Sequence, residues 1–322
     1  MKVGLPDTHL HQRRRLASVT HAMRTLLVVF CLLTESACLG NIPGTKTIPT
    51  PTETTTHLGN ASDTKTVPMP TEASIHQDSA WKLVWNDEFD GPEGAFPDPH
   101  KWTPDVAGNG WYHQQLDYDT NNQNVYQDGK GNLVLEARKS NPTGYQCWYG
   151  ACEYTSARIT TRDHFSFTYG LLEARIKIPY GQGIWSAFWL LGNNCAVAGW
   201  PNCGEIDLME NIGREPGTIY GTAHSSGHFS SPYKLEQGAF SHDFHIFALQ
   251  WNPDHLYFFV DGISYYTVDR ATITNQAYWV YDHPFEIILN LAVGGEWPGN
   301  PDATTIFPQK MYISYLRLYT DK

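Results

Sequence analysis

From about Asp78 onward, apolar and polar residues alternate with a period of two, and this pattern constrains the fold more than any other feature. Successive side chains of a β-strand point to opposite faces, so the alternation predicts strands with one buried face. Asp261-Gly262 separates two strand-like runs and predicts a tight hairpin turn. Because no long segment shows helical periodicity, the sequence predicts an all-β antiparallel sandwich.

Six further segments have the composition and alternation of strands. They are Leu133–Ala137, Trp185–Leu191, Ile219–His224, His245–Trp251, Phe285–Ala292 and Met311–Leu318. Some strands carry aromatic or charged residues opposite their apolar face, as Trp185 and Trp189 do in one strand and Glu173 and Arg175 in another. Such faces predict an open groove, and ordinary packing of the tryptophans against loops is the alternative interpretation.

The first quarter of the chain differs sharply from the rest. Residues 26–33, LLVVFCLL, follow Arg24 and precede small residues that end at Cys38, which is the layout of a signal peptide. Eight apolar residues are too few to span a bilayer, which takes about 20. We therefore expect a signal peptide region over residues 1–38, with Met23 as an alternative start. The expected location is extracellular, either free or lipid-anchored through Cys38.

A linker and a catalytic domain are expected after this region. Residues 39–77 are rich in Thr and Pro and contain the near-repeat LGNIPGTKTIPTPTE and LGNASDTKTVPMPTE. This segment has too little apolar bulk to offset its ordering entropy, so we predict a disordered tether. All 11 Trp residues lie at or beyond Trp81, which places the core in a domain over residues 78–322.

Charge and cysteine usage narrow the class of partner. The formal net charge is -11, which disfavours nucleic acid and strongly anionic polymers and favours a neutral substrate. Two close cysteine pairs, Cys147 with Cys152 and Cys195 with Cys203, indicate short-loop disulfides in an exported protein. Free buried thiols are the alternative.

The segment GEIDLMEN, residues 204–211, carries the most chemical information. Glu205 and Asp207 share a strand face, whereas Glu210 joins them only if a β-bulge near Leu208-Met209 adds one residue. Neighbouring carboxylates raise one another's pKa, and glycoside hydrolysis uses such a set as nucleophile and proton donor. A cation site or a solvated acidic face are the alternatives.

Several segments, in this order, resemble glycoside hydrolase family 16, in particular the bacterial endo-1,3-β-glucanases or laminarinases. They are WNDEFDG at 85–91, GNLVLEAR at 131–138, YTSARITT at 154–161, YGLLEARIKIPYGQGIWSAFWLLG at 169–192, GEIDLMEN at 204–211 and ILNLAVGGEWPG at 288–299. The ordered set covers about residues 81–320 and is far more specific than the acidic motif alone.

The resemblance implies a β-jelly-roll sandwich with a substrate cleft on its concave sheet. It implies endo-acting, retaining hydrolysis of β-1,3-glucans, with mixed-linkage β-1,3-1,4-glucan as a further substrate. Glu205 would be the nucleophile, Glu210 the acid/base, and Asp207 the residue that tunes the nucleophile. The substrate-binding positions it implies are Trp185, Trp189, Arg175, His224, Asn290, Trp297, Gln114 and Trp111. Gln114 and Gln115 stand where laminarinases often have Asn and Glu, so the non-reducing-side subsites are expected to differ.

The resemblance also bears on cofactors and on competing functions. Ser314 stands where many relatives have an Asp beside a structural calcium, so we expect no cofactor and no metal, with calcium as the weaker alternative. We expect a monomer. The same chemistry on agarose, carrageenan or galactan, and a non-catalytic β-glucan-binding protein, are the alternatives to glucan hydrolysis.

Overall fold

The computed structural model describes residues 81–111 and 113–322. The predicted signal peptide region and linker, and the first residues of the predicted catalytic domain, lie outside the described residues. In the described ranges, no helix has the length and apolar character needed to cross a membrane.

Strands dominate the described residues. In chain order they begin with β1 (Trp81–Asp87), β2 (Thr103–Pro104), β3 (Asp117–Asp119), β4 (Val125–Gln127), β5 (Leu133–Ala137), β6 (Gln146–Cys147), β7 (Gly150–Ala151), β8 (Tyr154–Thr160) and β9 (Gly170–Lys177). They continue with β10 (Ile184–Gly192), β11 (Glu205–Ile212), β12 (Thr218–His224), β13 (His228–Lys234), β14 (His245–Trp251), β15 (His255–Val260), β16 (Ile263–Asp269), β17 (Phe285–Val293) and β18 (Gln309–Asp321). The described helices are short: α1 (Cys195–Ala198) and two 3-10 turns, Arg270–Thr272 and Gln276–Tyr278.

The strands build two large sheets. The back sheet has the order β16-β15-β14-β9-β18-β5-β4, with β1 also paired to β18. The front sheet has the order β13-β12-β11-β10-β17-β8-β2, with β3 also paired to β8. All these pairs are antiparallel except β3 with β8, so the predicted all-β antiparallel fold is confirmed.

The core lies between the inner faces of the two sheets. Leu172, Ala174 and Ile176 of β9 are fully buried, as the alternation predicted, and they join one apolar cluster with Phe188 and Leu190 of β10. Burial of a large aliphatic or aromatic side chain stabilises the folded state by about 1.5–3 kcal/mol. This cluster uses one face of each sheet and leaves the outer face of the front sheet for other chemistry.

Both predicted disulfides are present. Cys147 and Cys152 close the β6–β7 hairpin with a Cα–Cα distance of 5.0 Å. Cys195 and Cys203 close the loop that contains α1 with a Cα–Cα distance of 4.8 Å. The second loop ends directly before β11, so the disulfide lies beside the acidic segment.

The predicted hairpin turn at Asp261-Gly262 is also confirmed. Val260 of β15 pairs with Ile263 of β16, which leaves a two-residue loop. The φ angles of Asp261 and Gly262 are 49° and 79°. Positive φ at both central residues is the requirement of a type I′ turn, which explains the Asp-Gly pair.

We expect Gly262→Ala to lower the free energy of unfolding by about 1–2 kcal/mol, because a Cβ is disfavoured at positive φ. Urea unfolding monitored by tryptophan fluorescence would measure the loss. Gly262→Asn is the matched control and should retain most of the stability, since Asn tolerates the left-handed region. Equal stability of Gly262→Ala and the wild type would contradict this reading of the turn.

Candidate active site

One extra residue in β11 brings the three predicted carboxylates onto one face. Asp207 pairs with Trp189 of β10, and Met209 pairs with Phe188, the residue before Trp189. Two residues along β11 thus match one residue along β10. The pairing with β12 shows the same irregularity between Asp207 and Glu210. The predicted β-bulge is therefore confirmed. It sends the apolar side chains of β11 into the core and the acidic side chains to the outer face of the front sheet.

Glu205, at the start of β11, has polar neighbours on both oxygens. The indole Nε1 of Trp200 donates a 2.9 Å hydrogen bond to its Oε2. The imidazole Nε2 of His224 lies 3.7 Å from its Oε1. Its side chain is 19% exposed, so an incoming ligand can reach it.

Asp207 and Glu210 are held differently. Asp207 is 2% exposed, and Nε2 of His224 lies 3.0 Å from its Oδ2. The two groups are not aligned for a hydrogen bond, since Oδ2 accepts none. Glu210 accepts a 3.1 Å hydrogen bond from Nε1 of Trp185. The central carboxylate is thus the most enclosed of the three.

Burial and mutual repulsion favour protonated carboxyls here. Burial, followed by the charge of Asp207, raises the pKa of Glu205 to about 8, while His224, the Trp200 hydrogen bond and Arg158 lower it. Burial and the charges of Asp207 and Glu205 raise the pKa of Glu210 well above its ordinary value. Burial also raises the pKa of Asp207. Crowding therefore favours the protonated form of these carboxyl groups near neutral pH.

Trp189, Asn290 and Arg158 continue this outer face on the strands beside β11. Nε1 of Trp189 donates a 2.7 Å hydrogen bond to Oδ1 of Asn290, and Asn290 pairs with Arg158 across β17 and β8. The guanidinium carbon of Arg158 lies 4.8 Å from the ring centroid of Trp189 and 4.0 Å from that of Trp111. Arg158 thereby connects two predicted substrate-binding tryptophans.

A second group of rings lies beside Glu210. The centroid of Trp185 is 5.4 Å from that of Trp297, in an edge-to-face arrangement. Trp297 lies 5.2 Å from Tyr220, which pairs with Glu210 across β12. Glu205, Asp207 and Glu210 of β11 are called the acidic row below. Predicted tryptophans from β10 and from the loop after β17 thus meet at one end of this acidic row.

Trp111 and Gln114 belong to the loop before β3. Nε1 of Trp111 donates a 2.6 Å hydrogen bond to Asp119, and Nε2 of Gln114 donates one of 2.6 Å to Glu296, next to Trp297. The ring of His113 in the same loop lies 5.5 Å from Trp185. These contacts attach the loop to both aromatic groups.

The expectation for Arg175 is wrong. Arg175 belongs to β9 of the back sheet, between β14 and β18, and its guanidinium carbon lies 4.4 Å above the ring of Phe244. Alternation correctly places Arg175 opposite the core, but alternation does not tell which of two sheets a strand joins. The groove predicted on the Glu173 and Arg175 face is wrong for the same reason.

Two residues of this face were missed. Arg158 lies opposite Ala157 and Ile159 in YTSARITT, so alternation could have placed it on an outer face. Trp200 lies in WPNCGE, directly before the acidic strand, but loop sequence does not reveal where an indole points. The two residues contact the predicted site only through tertiary structure.

Among the described residues, one group of at least three His, Cys, Asp or Glu side chains could hold a metal ion. It consists of Glu205, Asp207 and His224, with ligand atoms within 4.8 Å of one another. An imidazole among the ligands suits a transition metal more than calcium, which prefers oxygen. The group coincides with the acidic row and is separate from Ser314 on β18.

Comparisons with known proteins agree with this architecture. The model of glycosyl hydrolases family 16 matches residues 112–317. A beta-glucanase of Rhodothermus marinus is 38% identical over 74% of this chain and 85% of its own length. Glucan endo-1,3-beta-glucosidase A1 of Niallia circulans is 35% identical over 74% of this chain and 38% of its own length.

A solved structure extends the agreement to the fold. The catalytic domain of an endo-1,3-beta-glucanase (laminarinase) from Thermotoga petrophila has a TM-score of 0.70 and 44% identity, covering 75% of this chain and 98% of that domain. The predicted jelly-roll sandwich is therefore confirmed. With more than half of its length matched by the family model, the chain belongs to family 16 of the glycosyl hydrolases.

Proposed function

We propose that this enzyme hydrolyses internal β-1,3-glucosidic bonds of β-glucans with retention of anomeric configuration, using Glu205 as nucleophile and Glu210 as acid/base. The observation that carries the proposal is the β11 bulge, which places two Glu side chains on either side of Asp207 on one ligand-accessible face. Paired carboxyl groups that flank the scissile bond are what this reaction requires.

The neighbours of each Glu support the division of roles. A nucleophile must be ionised, and Trp200, His224 and Arg158 each favour the anion of Glu205 against burial and Asp207, which raise its pKa to about 8. A general acid must keep its proton, and burial together with the charges of Asp207 and Glu205 raises the pKa of Glu210 well above its ordinary value. Asp207 lies between the two Glu residues, and its charge acts on both of them.

The reaction has two steps. In the first, the Glu205 carboxylate attacks the anomeric carbon while Glu210 donates its proton to the departing glycosidic oxygen, and the C–O bond breaks. In the second, Glu210 takes a proton from water, whose oxygen attacks the same carbon and displaces Glu205. Two inversions at one carbon give net retention.

The remaining residues of this face suit a neutral sugar chain. The half-buried rings of Trp111, Trp189 and Trp297 offer apolar surfaces of the kind that stack on pyranose faces, and the buried ring of Trp185 packs against Trp297. Asn290, Gln114 and His224 supply polar groups for hydroxyls, although Asn290 and Gln114 are partly engaged by Trp189 and Glu296. This mixture supports glucan more than a sulfated polymer, which the net charge would repel.

The relatives favour a β-glucan substrate, although two of them are a keratan-sulfate endo-1,4-beta-galactosidase of Sphingobacterium multivorum and a beta-1,3-glucan-binding protein of Penaeus monodon. The Rhodothermus and Thermotoga proteins bear the names of β-glucan and β-1,3-glucan hydrolases. A binding protein without activity has no need of three crowded carboxyl groups, whose burial costs stability. The substrate test below also distinguishes glucan hydrolysis from hydrolysis of agarose, carrageenan or another galactan.

We also propose that the protein is exported. Cys147–Cys152 and Cys195–Cys203 are disulfides, and disulfides persist in oxidising compartments such as the bacterial periplasm and the extracellular space. A polymeric glucan substrate also lies outside the cell. Measuring the mass of the mature N-terminal peptide would distinguish free secretion from a lipid anchor at Cys38.

We expect reducing-sugar release from laminarin by the wild type, and less or none from agarose and carrageenan, with barley β-glucan reporting mixed-linkage activity. Glu205→Gln and Glu210→Gln should each lower turnover by about 10³-fold or more, because they remove a covalent or proton-transfer step. Glu236→Gln is the matched control, since Glu236 is exposed on the loop after β13. It should retain wild-type turnover.

Azide separates the two catalytic roles. In Glu205→Ala, azide should enter the space of the carboxylate, restore part of the turnover and give a glycosyl azide of inverted configuration. Absence of rescue despite laminarin binding would contradict the nucleophile assignment. Activity on agarose or carrageenan alone would keep the mechanism and overturn the substrate.

We expect Arg158→Met to lower kcat/KM on laminarin by about 10- to 100-fold, the range for loss of hydrogen bonds to a charged group. The change removes the cation that lies against Trp111 and Trp189. Arg175→Met is the matched control, since Arg175 lies on the back sheet, and it should keep wild-type kcat/KM. Thermal unfolding of both variants would separate a loss of folding from a loss of binding. Equal effects would contradict the placement of the site on the front sheet.

We expect Glu210→Gln to stabilise the protein at alkaline pH. The raised pKa of Glu210 means that the folded protein holds this proton above the ordinary value of 4.5, whereas the unfolded chain releases it. Stability contributed by this group is complete below about pH 4.5 and is lost as pH rises. The melting temperature of Glu210→Gln should equal that of the wild type at pH 4 and exceed it by a few degrees, at about 2–4 °C per kcal/mol, at pH 8. A constant difference across this range would contradict the shift.

A further inference from the structure

Trp200 combines an exposed ring with a specific polar contact. It is 59% exposed, so burial of the ring does not explain its position. Its one polar group, Nε1, donates the 2.9 Å hydrogen bond to Oε2 of Glu205. The ring centroid lies 6.0 Å from that of His224, which also faces Glu205. The position of this indole therefore depends on the loop that carries it.

That loop is closed by the Cys195–Cys203 disulfide. Cys203 is fully buried, and the backbone of the next residue accepts a 3.1 Å hydrogen bond from Gly192 of β10. A Cβ on Gly192 would lie only 1.9 Å from the carbonyl oxygen of Cys203, so the end of the loop lies directly against the sheet. The disulfide joins this fixed end to Cys195, at the start of the exposed turn.

Few other contacts hold the exposed part of the loop. Gly199 donates to the carbonyl of Cys195, and Cys203 donates to that of Gly199, each at 3.0 Å, within the loop itself. Asn202 accepts a 2.8 Å hydrogen bond from Ser226 in the turn after β12. None of the α1 residues is buried, so α1 does not anchor Trp200, two residues after it, to the core.

We propose that Trp200 is a positioning residue for Glu205 and that the Cys195–Cys203 disulfide keeps it in place, so that reduction of this bond weakens catalysis. The inference rests on the nucleophile role proposed above for Glu205. The indole N–H stabilises the ionised carboxylate and limits its rotation. Opening the disulfide frees the loop between Cys195 and Cys203 and separates the indole from the carboxylate.

The hydrogen bond also contributes to the pH range over which Glu205 is ionised. Burial and Asp207 raise the pKa of Glu205, and the Trp200 hydrogen bond is among the contacts that lower it. Without this donor, Glu205 holds its proton to higher pH. The acid limb of kcat/KM reports ionisation in the free enzyme, so it is the readout that a purely structural role would not move.

Reduction is a two-electron step. Dithiothreitol supplies both electrons and becomes its cyclic disulfide, while each cysteine sulfur takes one proton and ends as a thiol. Because dithiothreitol also reaches Cys147–Cys152, a Cys147→Ser/Cys152→Ser variant is needed beside the treated wild type. Only the Cys195–Cys203 bond then remains to be reduced.

The test is the pH profile of kcat/KM on laminarin for the full chain. Trp200→Phe keeps a ring and removes the N–H, and we expect its acid limb to move up by about one pH unit, a tenfold loss at acidic pH. Cys195→Ser/Cys203→Ser should move the limb in the same direction, and addition of Trp200→Phe should move it no further. The Cys147→Ser/Cys152→Ser control should keep the limb in place until dithiothreitol is added.

Each outcome decides one part of the proposal. An unmoved limb in Trp200→Phe overturns the positioning role. A moved limb in Trp200→Phe with an unmoved limb in both the Cys195→Ser/Cys203→Ser variant and the reduced enzyme overturns the role of the disulfide. Azide rescue of Glu205→Ala tests the nucleophile independently, so rescue together with an unmoved limb means that only the positioning inference fails.

Discussion

The site depends on one extra residue in β11. Without the bulge between Asp207 and Glu210, strand alternation would send Glu210 into the apolar core and bring Met209 to the surface. With it, three carboxyl groups share the outer face while the apolar residues between them stay in the core. The pairing of β11 with both neighbouring strands shifts at this bulge. The same residue therefore fixes which side chains of β11 pack in the core and which carboxyl groups lie on the outer face.

Crowding three acids lowers the stability of the fold. The surrounding residues stabilise the anion of Glu205 more than that of Glu210. Glu205 receives an indole donor, an imidazole and a distant guanidinium, all of which favour its anion. Glu210 receives one indole donor and the repulsion of two carboxylates. The same repulsion that destabilises the fold raises the pKa of Glu205 and of Glu210, so both side chains hold their protons to higher pH than an exposed Glu does. Site and stability are therefore opposed, as is common where function requires buried charge.

Because the back sheet covers the inner face of the front sheet, the outer face of the front sheet can hold polar and charged residues. The inner face of the back sheet supplies apolar partners such as Leu172 and Ile176, so the front sheet needs only one of its faces for the core. Loops then complete the site from the sides. The loop before β3 contributes Trp111 and Gln114, and the disulfide-closed loop before β11 contributes Trp200. Elements far apart in sequence thus converge on a row of residues close together in sequence.

The sequence by itself determined what periodicity and spacing encode: an all-β sandwich, the tight hairpin turn at Asp261-Gly262 and the two disulfides, with a bulge as the condition for bringing Glu210 beside Glu205 and Asp207. These features depend on neighbours along the chain. Only the tertiary structure decided which sheet each strand joins and where loop side chains point. Arg175 and Arg158 both lie opposite apolar residues of their strands, yet one contacts Phe244 on the back sheet and the other Trp189 beside the acidic row. The reason is physical: alternation sets the face of a strand, whereas strand order and loop closure depend on contacts between distant segments.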